Sequence, residues 1–112
     1  MKFEIIQNQD NGKFYFHLKA KNGQIILSSQ GYTGKPACKK GIESVRTNGT
    51  DESNFEVKES NDGKHFFNLI AANKQVVGTS QMYKGMDGLK KGIQSVMTNA
   101  PDATVEDLTA AS

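Results

Sequence analysis

The sequence predicts an α+β fold in which two tandem β-β-β-α-β units form one antiparallel sheet with two helices on one face, arranged about a pseudo-two-fold axis. Three observations predict it. The stretch KKGIESVRTN, Lys39 to Asn48, recurs as KKGIQSVMTN, Lys90 to Asn99. Apolar residues alternate with polar ones, at the period of a β-strand, ahead of each copy. Offsetting the chain against itself by 51 positions overlays Gly12–Asn48 on Gly63–Asn99 with about half of the positions identical, the mark of an internal duplication. Two repeats are too few to cap a solenoid, so they are expected to share one core. A single domain follows, with residues 1–52 as the first repeat and 53–112 as the second.

Each unit opens with a three-stranded meander. In the first, FEII from Phe3 supplies a strand, and Phe14, Phe16, Leu18 and Ala20 form one face of the next, opposite Tyr15, His17, Lys19 and Lys21. The face of large apolar groups is the one to bury. Asn22-Gly23 predicts a type I′ hairpin turn, in a register that pairs Ala20 with Ile25 and Leu18 with Leu27. In the second unit His65, Phe67, Leu69 and Ala71 take the buried face, and Lys74 stands where the first turn has its glycine, making that turn the less comfortable one. A three-residue loop, Asn61-Asp62-Gly63, sets Val57 opposite Phe67 and Phe55 opposite Leu69, whereas a two-residue loop would turn Lys58 and Ser60 into the core. The extra residue in the first loop leaves Ile5 opposite Phe16.

A helix follows each meander. Thr33 is placed to cap the first, Pro36 falls in its opening turn, and Cys38, Gly41, Ile42 and Val45 form an apolar stripe that Leu89, Gly92, Ile93 and Val96 repeat. Glycine inside a helix costs about 1 kcal/mol against alanine. Its place in the middle of both stripes predicts that a Cβ does not fit there, because helix meets helix or sheet closely across the pseudo-dyad. Past each helix comes an extended run, NFEVKE and then ATVEDL; the second has no meander after it and is expected to add to the sheet.

The two units, with NGQIILSSQGYTGK and KKGIESV in the first and NKQVVGTSQMYKG and KKGIQSVMTNAPDATVEDLT in the second, resemble the YegP-like family of small bacterial proteins over nearly the whole chain. The resemblance implies one antiparallel sheet built from β-β-β-α-β units, from a duplicated chain or a dimer of single units, with terminal strands exchanged between units. Lys74 departs from the family's usual hairpin glycine. The resemblance implies no catalytic or ligand residues to carry over.

Composition and motifs exclude most chemistry. The formal charge of +2 announces neither a nucleic-acid nor a membrane partner, and no apolar segment has spanning length. The single cysteine, Cys38, rules out an intrachain disulfide and a Cys-rich metal site. With no secretory signal in MKFEIIQNQD, a soluble cytoplasmic monomer is expected. His17 and His65 fall on opposite sheet faces, and neither reaches Cys38, so no nucleophile pair forms. Asp10-Asn11-Gly12 and Asn61-Asp62-Gly63 read as hairpin turns and not calcium loops, and GYTGK is too short for a phosphate loop. No catalytic residue, metal or cofactor is assigned.

What remains is a surface. With both helices on one side, Ile6, Tyr15, Ile26, Phe66, Ile70 and Val77 are expected on the open face among His17, Lys19 and Lys58, with Phe16, Leu18, Phe67, Leu69, Gly41 and Gly92 building the core. An apolar patch of that kind marks a contact site. The leading reading is a non-enzymatic module that binds a protein partner through the open sheet face or an exposed edge. The second is single-stranded nucleic acid stacked on Tyr15 and Phe66, which Glu4, Glu56 and the balanced charge disfavour. The third is a small ligand or anion.

Overall fold

A computed structural model describes residues 1–109; the last three positions of the second repeat lie outside the described residues. The first unit contributes β1 (Lys2–Gln7), β2 (Phe14–Lys19), β3 (Ile25–Ser29) and α1 (Lys35–Asn48). A short 3-10 turn leads into β4 (Phe55–Glu59), followed by β5 (His65–Ile70), β6 (Val76–Ser80), α2 (Met86–Asn99) and β7 (Thr104–Asp107). The seven strands form one sheet in the order β4-β5-β6-β3-β2-β1-β7. All neighbours are antiparallel except β7, which runs parallel to β1. The sheet is antiparallel, as expected, at every join except the one that β7 makes. The exchange implied by the family resemblance is present: β7 leaves the second unit and pairs with the first.

The two halves meet at β3 and β6, where Ser28 sits opposite Thr79, its own counterpart in the repeat. The pseudo-two-fold axis therefore passes between these two residues. On one side of the sheet, Phe3, Ile5, Phe16, Leu18, Leu27, Phe67 and Leu69 close with Cys38, Ile42, Val45, Leu89, Ile93 and Val96 of the helices into a single buried cluster. Each fully buried Leu or Phe contributes about 1.5–3 kcal/mol relative to exposure. The expected registers hold for Ile5 with Phe16, Val57 with Phe67, Phe55 with Leu69 and Leu18 with Leu27.

Three local expectations are corrected. Neither Asn22-Gly23 nor Asn73-Lys74 makes a type I′ turn, because only Gly23 (φ 85°) and Lys74 (φ 70°) have positive φ. The amide of Gly23 donates to the Ala20 carbonyl and that of Ala20 to Gln24, and Lys74 and Ala71 repeat the pattern. These are type I turns closed by a left-handed residue. The register shifts by one beyond Leu18 and beyond Leu69, so Ile25 pairs with Lys19 and not with Ala20. Thr33 does not cap α1; the N-cap is Gly34, with no side-chain hydrogen bond, and Pro36 lies in the first turn.

The helical glycines do face a neighbour that leaves no room. A Cβ on Gly41 would stand 2.8 Å from Tyr32 Cζ and 2.9 Å from Phe16 Cε2, and one on Gly92 would stand 2.8 Å from Tyr83 Cζ. The obstacle is the tyrosine of the same unit, stacked on Phe16 or Phe67, and not an element across the pseudo-dyad. Each tyrosine is fixed by reciprocal backbone bonds to Phe14 or His65. Gly41→Leu and Gly92→Leu are each expected to lower stability by about 1–3 kcal/mol in denaturant unfolding. Lys74→Gly, which relieves a left-handed lysine, is expected to raise it by about 1 kcal/mol.

Candidate interaction site

The uncovered face of the sheet holds most of the surface the sequence singles out. Ile6, Tyr15, His17, Lys19, Phe66 and Ile70 are half-buried there, and Lys58 is exposed. Ile26 and Val77 are not: they are 7% and 5% exposed and belong to the core cluster. The cause is the register shift, which inserts one residue into β3 and one into β6 and breaks the alternation. Ile25 and Val76, paired with Lys19 and Ile70, take their places. The apolar set is thus interrupted by charge. Glu4 is buried, with Lys19 Nζ at 2.8 Å and Lys2 Nζ at 3.3 Å, and Lys58 lies 3.0 Å from Glu56. Lys19, opposed by burial, holds the Glu4 carboxyl below its ordinary range. His17 sits between Glu4 and Ser28, its imidazole pushed below its usual value by burial and then by Lys19. Burial pushes the Cys38 thiol up to about 11, which leaves it protonated and inert as a nucleophile. Among the described residues no three of His, Cys, Asp and Glu converge on a common point. No described helix is long and apolar enough to cross a membrane.

The sheet edges differ more sharply. The amide of Phe16 donates to Ser29 Oγ and that of Phe67 to Ser80 Oγ, both away from the outer strands. Ile5 and Val57, opposite these phenylalanines, therefore turn their own backbone groups outward. The Ile5 carbonyl accepts from the Leu108 amide at 3.0 Å. Asp107 meets Lys35 Nζ at 2.9 Å, Glu106 meets Lys2 Nζ at 3.2 Å, and Arg46 donates to the Ala103 carbonyl while its guanidinium lies over the Phe3 ring. So covered, Phe3 and Ile5 are both 0% exposed. On the other edge no strand lies beside β4 among the described residues. Val57 is 44% exposed, and a groove of about 580 Å³ runs between β4 and α2, lined by Glu52, Phe55, Val57, Met86, Leu89, Lys90, Ile93 and Gln94. The sequence leads to an exposed edge without saying which strand forms it. The signal was the repeat itself: Ile5 and Val57 are counterparts, and only one has a terminal strand to cover it.

The model of the domain of unknown function DUF1508 matches the chain twice, over residues 10–56 and 60–107. The chain belongs to this family. It is 50% identical to the UPF0339 protein in the ptx operon 5′ region of Stutzerimonas stutzeri over 95% of each chain, and 47% identical to UPF0339 protein YegP of Escherichia coli K12 over 96% of each. The solution structure of E. coli yegP, a protein of unknown function, superposes with a TM-score of 0.91 at 44% identity, covering 99% of this chain and 95% of that one. Within the family's unit, the first match runs into β4 and the second ends with β7. Each of these strands pairs outside its own match, β4 antiparallel to β5 and β7 parallel to β1.

The contacts of Asp107 give the β7 lock an expected dependence on pH. Hydrogen bonding from Thr109, then Lys35, holds the Asp107 carboxyl at about 2. A carboxyl depressed in the folded state contributes stability above its ordinary pKa near 4 and loses it as pH falls toward the folded value. The protection factor of the Leu108 amide is expected to drop between pH about 4 and about 2, and Asp107→Asn to abolish that step.

Proposed function

We propose that the chain is a non-enzymatic interaction module that takes an extended segment of a protein partner along the open edge of β4. The observation that carries this reading is the outward-facing, 44%-exposed Val57 beside a groove, at the position whose counterpart, Ile5, is fully covered by a strand. Added strands gain affinity from main-chain hydrogen bonds and specificity from alternate side chains set into such grooves. Glu56, Lys58 and Glu59 are exposed on the same strand and discourage indiscriminate edge pairing, while Val57 on the groove side leaves room for a chosen one.

The uncovered face supports binding less well. Its lysines at 19 and 58 are matched by Glu4 and Glu56, which lowers its attraction for phosphate, and the burial of Ile26 and Val77 removes two of its apolar members. Proline tests the edge cleanly. The Val57 amide points away from β5, so Val57→Pro keeps the β4–β5 ladder and blocks an incoming strand. Peptides selected from a displayed random library against the whole chain are expected to lose about tenfold or more in affinity with Val57→Pro, and to bind Tyr15→Ala/Phe66→Ala unchanged. Loss only in the double alanine variant would assign the sheet face instead.

A further inference from the structure

The first unit contains a filled version of the β4 groove, and comparing the two indicates what the empty one accepts. In the filled slot, Val105 pairs with Phe3 and packs beside Lys39, Ile42 and Glu43, and Asp107 pairs with Ile5 and reaches Lys35. The repeat carries each wall across: Phe3 and Ile5 become Phe55 and Val57, Ile42 becomes Ile93, Lys39 becomes Lys90 and Glu43 becomes Gln94. The cations that hold the strand do not carry across. Lys35 becomes Met86, Arg46 becomes Met97, and Lys2 becomes Asn54.

The backbone template is thus kept and its charge selectivity removed. A carboxylate in the place of Asp107 would lie against Val57 and the exposed Met86, which stands where Lys35 pairs with Asp107, and would lose hydration without that ion pair. An apolar side chain there would bury surface against the same residues, and methionine adapts its shape to what it meets. The chain's own tail is a poor occupant. In a second copy's tail Glu106 would stand beside Glu56, with Asn54 in place of the lysine that neutralises it in the filled slot.

Resting on the edge-binding reading, we propose that the β4–α2 groove selects a strand from another protein that runs parallel to β4, with uncharged apolar side chains at the two positions facing α2.

The test uses the whole chain, isotope-labelled, and two synthetic peptides: residues 100–109, and the same peptide carrying Glu106→Gln and Asp107→Leu. The substituted peptide is expected to shift the Phe55, Val57 and Glu59 amides and the Met86 methyl, and to bind about tenfold tighter than the unsubstituted one. A spin label on its N-terminus should broaden Asn54 and Phe55 before Glu59, as a parallel strand requires. Met86→Lys should reverse the preference between the peptides. Equal or tighter binding of the unsubstituted peptide overturns the proposal in favour of a second copy's tail, and shifts confined to β1 and β7 overturn it as strand displacement. Antiparallel broadening, or silence from both peptides while library-selected peptides still bind β4, overturns the slot assignment and leaves the edge reading standing. Silence from every peptide overturns both.

Discussion

The pairing of β3 with β6 is the contact on which the rest of the structure depends. It joins the two units in the middle of the sheet, and it sets both on one plane with their apolar faces on the same side. The repeat makes it almost self-complementary, with Ser28 against Thr79 on the axis. It is not fully so, because two equal side chains one step off the axis would collide. Leu27 and Gly78 are counterparts, and a Cβ on Gly78 would stand 2.8 Å from Leu27 Cγ. One leucine, fully buried, fills the space that a symmetric pair could not share.

Away from the axis the units are held alike. The serine that ends each central strand, Ser29 or Ser80, accepts from the amide of Phe16 or Phe67 and donates to the carbonyl of Gln30 or Gln81. A side chain here satisfies backbone groups that the strand ladder no longer reaches. Just beyond it the tyrosine pairs with the strand start and lies under the helical glycine, so the segments SSQGY and TSQMY and the helix stripe form one packed device. Gly41 and Gly92 are explained by that tyrosine, and the loss of helix propensity is local to each unit.

Much of this was legible in the residues. Alternation gave the strands, burial chose the three-residue loop at Asn61-Asp62-Gly63, and the helical glycines pointed to a close neighbour. The bulges were not legible, because pairing Ile25 with Ala20 or with Lys19 leaves an apolar residue available to the core in either register, and the consecutive Ile25, Ile26 and Leu27 satisfy both. Unbroken alternation therefore places Ile26 and Val77 on the open face, whereas the bulges bury them. The turn type escaped for a related reason: Asn-Gly suits a type I′ turn and also a type I turn closed by a left-handed glycine. The direction of β7 could not be read from ATVEDL, since an extended run carries no mark of whether its neighbour is parallel.

The open β4 edge follows from connectivity more than from composition. Two complete β-β-β-α-β units would need eight strands, and among the described residues this sheet has seven. The missing one is explained by β4, which closes the first unit after α1 and also opens the second beside β5. Joining the units in tandem uses that strand twice, so only β7 is left to serve as an added terminal strand, and it can cover only one outer edge. Covering β1 buries Ile5 completely and leaves its counterpart Val57 44% exposed. Charge then separates the two positions further, because the lysines and arginine that grip β7 were useful only where β7 binds. Where no internal strand arrives, nothing within the fold requires those cations. Their replacement by Met86, Met97 and Asn54 is therefore the point at which two equal copies acquire different surfaces.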